Sequence, residues 1–478
     1  MPSLDRNSPT PFYQQVYEQI ARGIESGLYP AGKKLPSIRE CARELGVSNT
    51  TIELAYQRLT AEGYVQARRG SGYVICDTVA VISNPVEEYD LSYQESLAEL
   101  VKSAAAGSPQ ETVLFDFAYD AVNESTFPST TWARLSRSVF FERGAEASFL
   151  YNDPQGLFEL REEIAHYLCG EYGLNCIPEQ VLVMPTTRDL IASIVSLFDP
   201  ADALFAMEEP GYDEIYRGLT ARGFKVKRIP VYPYPNTDEM LEFAEGVNLL
   251  FTTPACQFPS NSPMPITLRR SLVDWAKRTG AYLIDDEYGW EFQSGIARTP
   301  SLAALDRSGH VISLGTFSNS FTPAICLSYA VLPPQLMLAW RKREGGAHPR
   351  VPWQTQAAMA AFMREGLWRT HIRKVRTSIQ GKRQRLFQSI ERHMGDAVEV
   401  IEGISSLFVL IKTKDGRLET ELIESAESMG VRVYPTSRYW SGDMPAGWRY
   451  VLVGYAGIPV ESIDEGIATL ARAWGLCD

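Results

Sequence analysis

The sequence predicts a multidomain chain. An N-terminal winged helix-turn-helix is followed by an α/β body with a mostly parallel sheet and a smaller C-terminal α+β part. Three observations predict it. Three helical periodicities crowd into the first 76 residues, ahead of a short glycine-tipped hairpin. From residue 113 onward, strand-length apolar runs alternate with longer amphipathic stretches, the mark of parallel sheets buried on both faces. In the tail, from about residue 380, that alternation gives way to a few strands and a closing helix.

The N-terminal elements follow from spacing. Tyr13, Val16, Tyr17, Ile20 and Ile24 form one apolar stripe. Ile38, Cys41, Ala42 and Leu45 form a second, at the i, i+3, i+4, i+7 spacing of one helix face. Ile52, Ala55, Tyr56 and Leu59 repeat it. Ser37 is placed to cap the second helix, with Pro36 stopping any helix before it, and Gly46 closes it. Ser48 caps the third. Two short helices joined by a glycine-containing turn are a helix-turn-helix. Gly63-Tyr64-Val65 and Tyr73-Val74-Ile75 then read as strands around the basic tip Arg68-Arg69-Gly70-Ser71-Gly72, a wing. Ser48, Asn49, Thr50 and Thr51 at a helix N-terminus can offer hydroxyls, an amide and free N–H groups to double-stranded DNA. Arg39, Arg68 and Arg69 can neutralise its phosphates.

Residues 77–112 are acidic and polar and read as a linker, with a short helix expected over Leu91 to Ala106. In the body, strands are expected at Val181–Val183, Ala203–Ala206, Leu249–Phe251, Tyr282–Ile284, Val311–Leu314 and Leu327–Leu332. Functional groups belong just past the strand C-termini. The tail shows runs at Ala397–Leu410, Val431–Tyr434 and Tyr450–Val453, then a helix over Ser462–Trp474.

Composition narrows the function. Net charge is -12, but residues 1–76 carry nine Lys+Arg against seven Asp+Glu, a local +2 on an otherwise acidic chain. Seven scattered Cys without a C-x-x-C pair point to a reduced, cytoplasmic setting, and five His without zinc spacing argue against a metal site. The first residues lack a basic-then-apolar signal, and no apolar run reaches the ~18 residues of a membrane span.

Residues 13–75 resemble the winged-helix domain of the GntR family of bacterial transcription regulators, through Gly27-Leu28-Tyr29-Pro30-Ala31-Gly32, Leu35-Pro36-Ser37-x-Arg39, Leu45-Gly46-Val47-Ser48 and Glu62-Gly63-Tyr64. The resemblance implies DNA contacts at Arg39, Ser48, Asn49, Thr50, Thr51, Arg69 and Gly70. Asn49 stands where that family usually has Arg, which bears on base preference. Downstream, Phe127-Pro128, Tyr151-Asn152-Asp153-Pro154-x-Gly156, Glu209-Pro210-Gly211-Tyr212, Thr253-Pro254, Asp285-Asp286-Glu287-Tyr288 and Gly315-Thr316-Phe317-Ser318 occur in order. This resembles the fold-type I aminotransferase-like body of MocR regulators, which fuse that body to a GntR winged helix.

The resemblance implies a pyridoxal phosphate site, and the residues match it only in part. Asp286 matches the Asp that pairs with the pyridinium nitrogen, Tyr288 the Tyr on the ring hydroxyl, and Thr316 a phosphate hydroxyl. The Schiff-base Lys position is Asn319, and the phosphate Arg position is Cys326, expected to be a buried small hydrophobe. The loop after Val183 reads PTTRD without the family's glycine, and the late carboxylate Arg is Leu452. No Lys lies between Lys277 and Lys342, so no local shift of alignment restores one. An amide nitrogen does not form a stable imine, because its lone pair is delocalised. Arg188 is the candidate to take over phosphate binding.

Three readings follow. The first is a homodimeric DNA-binding regulator, not an enzyme, with a degenerate pyridoxal phosphate site and an effector of unknown chemistry; a symmetric dimer implies palindromic or repeated sites. The second binds pyridoxal phosphate noncovalently through Asp286 and Tyr288. The third is an aminotransferase, which the loss of Lys at 319 opposes.

Overall fold

The computed structural model describes residues 4–6, 8, 10–68, 72–76, 96, 97, 99, 113–119, 126–147, 153–287, 289–292, 299–403, 407–442 and 444–476. The chain divides into two compact units, Met1–Pro109 and Gln110–Asp478.

In the first unit, α1 (Phe12–Glu25), α2 (Ile38–Leu45) and α3 (Asn49–Ala61) precede the antiparallel hairpin of β1 (Val65–Arg68) and β2 (Gly72–Ile75). The three stripes become one core. Val16, Ile20 and Ile24 meet Cys41 and Ala42, and both meet Ile52, Ala55, Tyr56 and Leu59. The caps stand as the spacing requires. Ser37 accepts from the Glu40 amide at 3.3 Å and Ser48 from the Thr51 amide at 3.2 Å. Gly46 takes the left-handed conformation that ends α2, with φ 65°. The Tyr56 hydroxyl donates to the Pro36 carbonyl at 3.1 Å, tying α3 to the start of α2. The first wing strand starts at Val65 rather than Gly63, because Gly63 (φ 81°) turns the chain out of α3. The linker helix expected over 91–106 lies outside the described residues except at 96, 97 and 99, which are helical.

The second unit is built on a seven-stranded sheet. In chain order its strands are β4 (Val181–Met184), β5 (Leu204–Glu209), β6 (Lys225–Pro230), β7 (Leu249–Thr252), β8 (Tyr282–Asp286), β9 (Val311–Thr316) and β10 (Ser328–Val331). In space they run β4-β10-β9-β8-β7-β5-β6. All are parallel except β10, which runs against both its neighbours. β4 and β7 are buried along their whole length, as their continuous apolar runs require. β6 was not visible in the apolar pattern. It is an edge strand rich in Lys225, Lys227 and Arg228, charges that discourage a further strand from pairing there.

A second, four-stranded antiparallel sheet holds β11 (Val398–Glu402), β12 (Phe408–Thr413), β14 (Tyr434–Pro435) and β15 (Val451–Gly454). The expected run over 397–410 is therefore two strands, β11 and part of β12. The run Val431–Tyr434 also divides: β13 (Val431–Arg432) leaves that sheet and pairs in parallel with β3 (Phe115–Asp116). The closing helix spans Ile463–Ala473, with Ser462 in the preceding 3-10 turn. No helix among the described residues is long and apolar enough to cross a membrane.

Candidate DNA interface and ligand cavity

Ser48, Asn49 and Thr50 are exposed at the N-terminus of α3, and Thr51 is half-buried. The Ser48 hydroxyl is engaged by the Thr51 amide and lies 2.8 Å from the Thr51 hydroxyl. The amides of Asn49 and Thr50 have no acceptor within the helix, so their N–H groups point out of its positive end. Arg39 on α2 and Arg68 at the end of β1 are exposed, and neither forms an ion pair among the described residues. Arg69 and Gly70 lie outside the described residues. Sequence reasoning passed over Lys33 and Lys34. Their segment lies along β2 as a third wing strand: Ile75 N donates to Lys33 O at 3.0 Å, and Leu35 N donates to Tyr73 O at 2.9 Å. Two more exposed cations thus flank the hairpin. The clue was the pair itself, directly before Leu35-Pro36.

In the second unit, a cavity of about 890 Å³ opens at the C-terminal ends of β8 and β9. It also takes in the first turn of α4 (Thr187–Val195) and of α5 (Asp213–Thr220). Asp286, Thr316 and Asn319 come together on its wall. Thr316 is held locally: its hydroxyl accepts from Ser318 N at 3.1 Å and from the Ser328 hydroxyl at 2.9 Å. Gly315 faces Tyr329 across β9 and β10, and a side chain there would sit 2.3 Å from the tyrosine ring. Glycine therefore lets Tyr329 reach the cavity wall.

The local charge is acidic. Asp286 makes no hydrogen bond among the described residues. Burial, then the charges of Asp285 and Glu208, push its carboxyl up to about 7. Burial pushes Glu291 up to about 7 as well, despite the Tyr167 hydroxyl at 3.4 Å. At the start of α4, Thr186 caps the helix by accepting from Asp189 N at 3.1 Å, and its hydroxyl donates to the Asp189 carboxylate at 2.7 Å. Arg188 is ion-paired with Glu214.

Two expected site residues fall elsewhere. Cys326 is exposed, not buried, and it is not part of the cavity wall. It ends the turn Pro323–Ile325 with φ 46° and ψ 60°, a left-handed backbone that turns its side chain out of the core. Leu452 on β15 is fully buried among Phe258, Phe408, Tyr439, Trp448 and Tyr450. Tyr288 lies outside the described residues.

A winged helix followed by a fold-type I aminotransferase fold is the architecture of a transcription regulator with an aminotransferase-like body. Residues 12–75 match the bacterial regulatory proteins of the gntR family, and residues 120–439 match aminotransferase class I and II. The chain is 33% identical to the uncharacterized HTH-type transcriptional regulator YhdI of Bacillus subtilis, over 99% of this chain and 98% of that one. It is 30% identical to the probable rhizopine catabolism regulatory protein MocR of Rhizobium meliloti, over 98% and 95%. The fold resembles the α-aminoadipate aminotransferase LysN of Thermus thermophilus, with a TM-score of 0.68 and 22% identity over 80% of this chain and 98% of that one. The chain belongs to the MocR-type regulators of the GntR family.

Proposed function

We propose that this regulator binds double-stranded DNA as a homodimer and that its aminotransferase-like body is a ligand receptor, not an enzyme, that does not hold pyridoxal phosphate covalently. One observation carries the reading: Asn319 stands on the cavity wall where the Schiff-base Lys belongs, and no Lys lines that wall among the described residues. The residues present do not fit the cofactor. Its phosphate would meet Thr316, already engaged by Ser318 and Ser328, and a helix start whose nearest cation, Arg188, is neutralised by Glu214. The α3 N-terminus with Arg39, Arg68, Arg69, Gly70, Lys33 and Lys34 forms the DNA face. Loss of the amine also removes the group that would shuttle protons in transamination.

Two measurements test this. Full-length protein incubated with pyridoxal phosphate and borohydride is expected to gain no mass; a trapped adduct sinks this reading. A gel shift on the protein's own promoter region is expected, and Arg39→Ala with Arg69→Ala is expected to abolish it. Unchanged binding by that double variant removes the assigned DNA face.

A further inference from the structure

The cavity has exchanged the charge its fold would need for a phosphorylated cofactor. Every position where a cation is expected is neutral or displaced. Residue 319 is an amide, Cys326 faces solvent away from the wall, and Leu452 is buried in aromatic packing. Three arginines reach the wall, and each is already engaged. Arg188 pairs with Glu214, Arg217 pairs with Asp213 at 2.8 Å, and Arg222 donates to the Gly218 carbonyl at 2.8 Å.

Two acids on the wall, Asp286 and Glu287, are not compensated in the same way. Asp286 accepts no hydrogen bond among the described residues. Glu287 contributes to the same wall, its side chain is 5% exposed, and neither carboxylate oxygen has a donor among the described residues. The nearest guanidinium, Arg269, stands 3.9 Å away, and its N–H groups are given to the carbonyls of Met264, Pro300 and Pro254. A buried acceptor without a donor is costly, and an incoming N⁺–H group relieves it. Burial, then the neighbouring charge of Asp285, hold the Glu287 carboxyl well above the usual carboxylate range, and the distant Arg269 offsets this only in part. Aromatic residues also line the cavity. Tyr119 and Tyr212 line it, and Tyr212 is stacked on Phe258 with centroids 4.3 Å apart. Aromatic faces and carboxylates together favour organic cations. The cavity is of small-molecule size.

We infer that this cavity takes a small organic cation, a protonated amine carried on an apolar or aromatic frame and lacking phosphate and carboxylate groups, with Asp286 and Glu287 facing the charge. The inference rests on the reading that no cofactor is held there covalently, and it names the class of ligand the receptor senses.

The test uses the full-length protein and two probes of similar shape and opposite charge, benzylamine and phenyl phosphate, titrated by calorimetry. Benzylamine is expected to bind once per chain in the millimolar range or tighter, and phenyl phosphate to give no binding heat. Asp286→Asn is expected to weaken benzylamine by about tenfold or more, and Glu287→Gln to weaken it less. Thermal unfolding of each variant checks that it is folded. Phenyl phosphate binding as tightly as benzylamine overturns the inference. So does an absence of benzylamine binding at millimolar concentration, or an affinity unchanged in both folded variants. A borohydride-stable pyridoxal phosphate adduct overturns the underlying reading instead. Without that adduct, the comparison of amine with phosphate decides the inference by itself.

Discussion

The guanidinium of Arg188 is ion-paired with the carboxylate of Glu214, linking the first turn of α4 to the first turn of α5 beside the cavity. The pair neutralises the cation that sequence proximity offered as a substitute for the missing phosphate arginine. Both side chains are largely exposed, at 70% and 64%, so the pair contributes little to stability. Its consequence is electrostatic. Glu214→Gln is expected to leave the unfolding temperature unchanged. It is also expected to give phenyl phosphate a weak binding heat where the unmodified chain gives none. Calorimetric titration of the variant reads it.

Stability of the second unit is expected to fall as pH rises from about 4 to about 7 and to level off above that. The Asp286 carboxyl is raised to about 7 by burial and then by its neighbours Asp285 and Glu208, and Glu208 and Glu291 are raised to about 7 by burial. The folded chain therefore keeps protons that the unfolded chain releases near pH 4. The contribution is fully present below the ordinary carboxyl pKa and is lost as pH rises through about 7. Each such group costs at most about 1.4 kcal/mol per pH unit within that window. Calorimetric unfolding across the range should show the decline, and Asp286→Asn should flatten it.

DNA binding is expected to separate charge from readout. Arg39→Ala is expected to reduce the slope of log affinity against log salt by about 0.9, the signature of one lost phosphate contact. Asn49→Ala should leave the slope unchanged and alter discrimination among operator variants. Salt titrations monitored by fluorescence anisotropy distinguish the two. A charge-like effect of Asn49→Ala would remove it from the reading surface.

Cys326→Gly is expected to stabilise the second unit by about 1 kcal/mol. A non-glycine residue at φ 46° carries backbone strain that glycine does not. Cys326→Ala keeps the strain and should be near neutral. The thermal midpoints of the two variants, compared, measure the difference.

Gly454→Ala is expected to cost several kcal/mol, in the range of severe core substitutions. A Cβ at this position would stand 2.0 Å from the Ala118 carbonyl oxygen, because Gly454 N donates to Phe117 O at 2.8 Å and brings the two backbones together. Backbone cannot move aside as a side-chain tip can. Denaturant unfolding of the variant, or its failure to accumulate in soluble form, reports the clash.

The winged helix was legible almost residue by residue. Its core positions Val16, Ile52 and Tyr56, and its caps Ser37 and Ser48, are set by local periodicity and hydrogen bonding within a few residues. Asn319 was legible as well, because it is a single letter in a recognisable frame, and the structure sets it on the cavity wall. Other features had no local signal. Strand β6 hides behind lysines that suit an edge. Strand β3 is recognised only by its partner β13, which lies more than three hundred positions further along the chain. The exposure of Cys326 depends on one backbone dihedral, which composition does not report.

By itself the sequence determined the helix-turn-helix with its wing, the alternating α/β body and the asparagine at 319. Those properties are written in periodicity and residue identity, which act over short stretches of chain. Only the tertiary structure decided the character of the cavity: which acids remain uncompensated, which arginines are already engaged, and which former site residues face away. Charge balance at a buried site is a sum over residues from distant strands and helices, and burial sets the weight of each. That sum exists only once the chain has folded.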